Sequence, residues 1–81
     1  MKFYTFRTII EPDGKGYHGF VPILPGVHTC GDTLREVKKN LKEAIACHVQ
    51  GLAKDKQPIP REDEVMEIFQ TFSEQELSLS Y

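Results

Sequence analysis

The apolar positions along the chain switch between a period of two and a period of three to four. Each switch marks an element. Residues 2–11, KFYTFRTIIE, are aromatic and β-branched and alternate as a strand does. Tyr4, Phe6 and Ile10 fall on one face of it, Phe3 and Ile9 on the other, so the pattern predicts a central strand covered on both sides. PDGKG follows, with Asp13-Gly14 and Gly16 as turn formers, and YHGFVPIL resumes the extended pattern. The two runs predict an antiparallel hairpin. Gly19 inside the second run marks a bulge or a close backbone approach. Pro22 has no N–H for the ladder, so the strand ends there or pairs only on its other side. Pro25-Gly26 predicts a sharp turn, and residues 27–30, VHTC, a short third strand.

The period then lengthens. Leu34, Val37, Leu41, Ala44, Ile45, Val49 and Leu52 recur at steps of three and four and predict one amphipathic helix over about residues 33–53. Thr33 with Glu36 three residues on has the capping-box spacing, and Asp32 is an alternative cap one residue earlier. Gly51 lies near the end and is tolerated there or caps it. Pro58 and Pro60 stop the helix. In the tail, residues 61–81, EVMEIFQTF (64–72) fits a strand or a short helix, while ELSLSY (76–81) alternates as a strand, and one of the two is expected to return to the sheet. The whole is a single domain over residues 1–81 with the order βββαβ. Its fold class is α+β, two layers, one helix on an antiparallel or mixed sheet. One helix covers one sheet face. The other must be covered by the tail, by a second copy or by another protein.

Composition narrows the partners. The chain has 81 residues, 40% of them apolar and 27% charged, which are values of a globular domain. A domain of this size buries only about 60–65% of the surface its unfolded chain exposes. Oligomerisation is a natural supplement, and a homodimer or larger assembly is expected. Ten Lys and Arg against twelve Asp and Glu give a net charge of −2, with no basic stripe for phosphates, so direct nucleic-acid binding is not expected. Two cysteines do not make a secreted disulfide scaffold. MKFYTFRTII does not read as a signal peptide, and no run approaches the roughly 20 apolar residues of a membrane span. A cytoplasmic location with free thiols is the expectation, without membrane contact.

Candidate chemistry centres on His28 and Cys30, which share a side of a strand and so could share a ligand. Cys47 and His48 could complete a zinc set if the two elements met. Neighbours on a helix diverge by about 100°, however, and the spacing matches no usual finger. Cys47 is expected to pack near the helix stripe and His48 at its edge. A nucleophile also needs a base and a group to orient it, and nothing supplies the third part for Cys30 and His28. Asp13 is accounted for by the turn, Asp32 and Glu36 by capping, and no phosphate-binding loop is present. No catalytic, cofactor or metal residues are therefore assigned, and the chain is expected not to be an enzyme. A compact domain with an uncovered sheet face reads as a binding module.

EPDGKGYHGFVPILPGVHTCGDTLREVKKNLKEAI, followed by QPIP, resembles the HicB antitoxin family and its short relatives over about residues 3–60. The parts that carry the resemblance are the Glu-Pro-Asp loop, the Tyr17 strand, the turn Pro22, Leu24, Pro25, Gly26, the helix start Gly31, Asp32, Thr33, and the Pro58–Pro60 segment. The resemblance implies a partial ribonuclease-H-like fold without nuclease activity. It also implies a partner, HicA, a small basic toxin that cleaves mRNA through a catalytic histidine, which the antitoxin neutralises by covering its active site. Many members carry a further helix-turn-helix or ribbon-helix-helix domain for their operator. This chain matches no such segment, so operator binding is not expected. An orphan homo-oligomeric regulator or small-ligand binder without a toxin is the alternative.

Overall fold

The structure is a computed structural model that describes residues 1–62 and 68–79. Its order is β1 (Ile9–Asp13), β2 (Gly16–Phe20), β3 (His28–Gly31) and α1 (Leu34–Lys54). The strands form one antiparallel sheet in the order β1-β2-β3, with α1 against β2 and β3. This is a small α+β arrangement. Asp13 pairs with Gly16 across a two-residue loop, and Gly14 has φ 63° at the first loop position, where a type II′ turn needs positive φ.

Between β2 and β3 the chain closes on itself. The Val21 N–H donates to the Val27 carbonyl (3.1 Å), Leu24 N–H to Val21 (3.0 Å) and Val27 N–H to Leu24 (3.1 Å). Gly26 supplies the positive φ, 88°, that the bend requires. The loop is thus part of the core, not an ornament on it. Val21, Leu24 and Val27 are buried together with Val37 and Leu41 of α1. Phe6, Ile10, Tyr17, Ile23, Ala44, Ile45 and Val49 pack around them.

Two glycines let the helix approach. A Cβ on Gly19 would stand 2.6 Å from Leu41 Cδ1, and one on Gly31 would stand 2.6 Å from the Val37 backbone nitrogen. Of the two readings of Gly19, the close approach is the one observed. Thr33 is the N-cap, its Oγ1 accepting from the Glu36 N–H at 3.1 Å. At the other end Gln57 N–H donates to Leu52 O (2.8 Å) and Lys56 N–H to Ala53 O (3.1 Å), a Schellman closure. The left-handed residue in it is Lys56, φ 55°, and Gly51 lies inside the helix with nothing near its missing Cβ.

Three expectations are corrected. The opening strand, predicted as central, is at the edge of the sheet beside β2. The strand predicted over residues 2–11 begins only at Ile9, and residues 1–8 lie outside any strand. The cause is the length of β2: Phe20 is the partner of Ile9, and at Val21 the chain turns away. The strand predicted over residues 76–81 is replaced, through residue 79, by one helical turn; residues 80–81 lie outside the described part. Ser73 caps that turn, accepting from the Glu76 N–H at 3.1 Å while its hydroxyl donates to the Glu76 carboxylate at 3.2 Å. Leu79 N–H then donates to Glu74 O (2.9 Å) and Ser78 N–H to Gln75 O (3.0 Å), with Ser78 at φ 57°. A serine cap and a Schellman closure outweigh a three-step alternation. Of the other tail candidate, residues 64–67 lie outside the described residues and 68–72 form neither strand nor helix.

Three substitutions test this packing by denaturant unfolding. Gly31→Ala sets a methyl against backbone that cannot yield and should destabilise by about 1–3 kcal/mol. Gly51→Ala meets open space in a helix and should stabilise by about 0.4–1 kcal/mol. Lys56→Gly removes a left-handed penalty of about 1–2 kcal/mol at a cost of about 0.4–1 kcal/mol in unfolded-chain entropy, for a net gain near ~0.5 kcal/mol.

Candidate protein-docking face

Side chains alternate along a strand, so one residue whose direction is known fixes the others. Gly19 faces Leu41, and Ile10 and Tyr17 pack on the core. His18 and Phe20 therefore point away from α1. The register carries this across the sheet: Ile9 and His28 stand opposite Phe20, and Glu11 and Cys30 stand opposite His18. Directly paired residues share a face. The face turned away from the helix is thus Ile9, Glu11, His18, Phe20, His28 and Cys30. α1 is the only helix among the described elements, and it covers the opposite face.

Rings organise this face. His18 lies stacked on Phe20 with centroids 6.0 Å apart and planes 26° apart, and the His28 ring stands 5.9 Å from His18 at 45°. His18 and Phe20 are half-buried, while His28 and Cys30 are exposed. Beside the rings is a hollow of about 580 Å³ bordered by Phe20, Pro22, Pro25, Gly26 and His28. The third strand is held in place from the helix side, where Asn40 Nδ2 donates to the Cys30 carbonyl at 2.8 Å. A surface of flat rings with few charges has the composition of a protein-interface core, in which aromatic groups are enriched and charges depleted.

The arrangement is one of stacking. Among the described residues no group of three or more His, Cys, Asp or Glu side chains is placed to hold a metal ion. His28 and Cys30 lie on the face away from α1, so Cys47 and His48 of that helix do not join them. Cys47, expected near the apolar stripe, is exposed, and half-buried His48 takes the position beside it. Among the described residues no helix is long and apolar enough to cross a membrane.

The motif residues divide in two. Leu24, wholly buried, and Gly31 serve the core and the helix approach. Thr33 starts the helix and Asp32 precedes it, exposed. Pro22, Pro25 and Gly26 do more than make a joint, because they also border the hollow beside the rings. Of this face the sequence analysis singled out His28 and Cys30 and gave no role to His18, Phe20 or Glu11. Alternation groups His18 with Phe20, and the contact of Gly19 with Leu41 shows that this group faces outward.

Comparison with known proteins gives this face a context. Residues 6–77 match the family model described as the HicB_like antitoxin of bacterial toxin-antitoxin system. A UPF0150 protein of Synechocystis is 38% identical over 63 residues, covering 76% of this chain and 80% of that protein. A UPF0150 protein of Thermotoga maritima is 55% identical over 44 residues, 54% of this chain and 59% of that one. An uncharacterised 14.9 kDa protein of Haemophilus phage HP1 is 39% identical over 60 residues, 74% of this chain but 45% of the phage protein. The chain thus spans most of the first relative and about half of the other two. No solved structure matches it at comparable significance. With the match running from Phe6 through the whole sheet and helix to Leu77, the chain belongs to the HicB-like antitoxin family of bacterial toxin–antitoxin systems.

Proposed function

We propose that this chain neutralises a small basic HicA-type mRNA-cleaving toxin by lying over its active site, using the sheet face of His18, Phe20, His28 and Cys30. The observation that carries the reading is that aromatic face, left uncovered by the helix in a member of an antitoxin family. A family of toxin–antitoxin systems implies a toxin as partner. A net charge of −2 favours a basic one, since opposite charge steers association. The role is that of a steric block and asks no chemistry of the antitoxin: it is not an enzyme, and its relation to ribonuclease H is one of fold. It works in the cytoplasm, as one domain, without touching nucleic acid itself.

We further propose that it self-associates. The chain exposes 7137 Å², against about 5,000 Å² for a compact monomer of 9.3 kDa. Its radius of gyration is 16.7 Å, against about 12 Å for a compact chain of this length. Phe3, Tyr4, Ile68, Phe69, Phe72, Leu77 and Leu79 are all exposed. Apolar surface of this extent is the kind that associates.

The test is capture from the native lysate followed by identification of what co-purifies. The expected result is a stoichiometric small basic protein that is toxic when expressed alone. Phe20→Ala, which removes the ring stacked on His18, should weaken its binding about tenfold or more. Lys39→Ala, at an exposed helix position, should leave it unchanged. Recovery of the chain alone, as an oligomer, would replace the antitoxin role with that of an orphan homo-oligomeric module.

A further inference from the structure

A second uncovered surface lies on the helix side. Tyr4, Phe6 and Leu41 with Ile45 floor a groove of about 380 Å³ between the N-terminal segment and α1, and Lys38 and Lys42 stand at its rim. Leu41 belongs to the core beneath the helix, and Phe6 and Ile45 pack against that core. The groove is therefore on the opposite side of the sheet from the aromatic face.

The same chain carries a segment that complements it. The capped turn at residues 73–79 presents Leu77 and Leu79, 50% and 47% exposed, beside the carboxylates of Glu74 and Glu76. No residue of that segment lines the groove of its own chain. Apolar side chains flanked by two acids on one element match an apolar floor flanked by two lysines on another.

We infer that the turn at residues 73–79 of one copy seats in the Tyr4–Ile45 groove of a second copy, with Glu74 and Glu76 facing Lys38 and Lys42, and that the exchange is reciprocal. This rests on the self-association proposed above and specifies it. A second copy is chosen over the chain's own tail because the turn lies away from the groove of its own chain, while its acids and leucines complement that groove in charge and polarity.

The experiment is light scattering at micromolar concentration on the full chain and on two charge-reversed variants. Lys38→Glu/Lys42→Glu reverses the groove, and Glu74→Lys reverses the turn while leaving the Glu76 carboxylate that receives the Ser73 hydroxyl. The wild type is expected to be a dimer, and each variant alone is expected to dissociate at least tenfold more readily. An equimolar mixture should recover the dimer, because each variant then offers the other a matching seat. Circular dichroism checks that both variants keep the helix. A monomeric wild type would overturn this inference and self-association together. A dimer indifferent to both reversals, or variants that weaken but do not rescue each other, would overturn the seat and leave self-association standing.

Discussion

The close approach of α1 to the sheet at Gly19 and Gly31 is the constraint on which the other features depend. At both positions a side chain would meet the helix at 2.6 Å, and at Gly31 what it would meet is backbone. Because the helix can come this near, Val37 and Leu41 reach Val21, Leu24 and Val27, and Asn40 reaches the Cys30 carbonyl. Because Gly19 must face the helix, His18 and Phe20 cannot. The strand period is two, so a slip of one residue would turn the rings into the core and the glycine out. The helix contact and the composition of the open face are therefore one choice, made at one glycine.

What was legible in the sequence were the parts governed by local chemistry. The Asp13–Gly16 hairpin, the Pro-Gly bend and the Thr33 cap each rest on residues within a few positions of one another, and each is where the residues put it. The helix bounds also held, within one residue at either end, though Leu34, the first residue of the predicted stripe, is exposed. What was not legible depended on a distant length or a local competitor. KFYTFRT has strand composition, but a strand needs a partner, and β2 ends at Phe20, where the chain turns into the loop closed by Val21 and Val27. ELSLSY alternates, but Ser73 and Glu76 stand at capping-box spacing just upstream, a signal as readable as the one at Thr33. The docking face was half legible. Alternation divides β2 into two sets, and only the contact of Gly19 with Leu41 tells which set is inside.

The core explains why uncovered surface matters so much to this chain. Its buried residues are Val21, Leu24, Val27, Val37 and Leu41, none larger than leucine, while its phenylalanines are half-buried or exposed. Much of the apolar material thus sits where a partner could use it. Anything that binds the folded chain and not the unfolded one adds stability by mass action. For a domain this small, that addition is comparable to what its own packing supplies.

The two uncovered surfaces are divided by the sheet itself. The rings of His18, Phe20 and His28 lie on one side, and the groove floored by Tyr4, Phe6, Leu41 and Ile45 lies on the other. A partner on the first does not have to displace an occupant of the second. Self-association through the groove would leave the aromatic face of each copy open, so each could carry its own toxin. The reverse arrangement, copies joined face to face through the rings, would force self-association and toxin binding to compete for Phe20. Among the described residues the sheet has three strands, and this single narrow layer keeps both surfaces within one small domain while holding them apart.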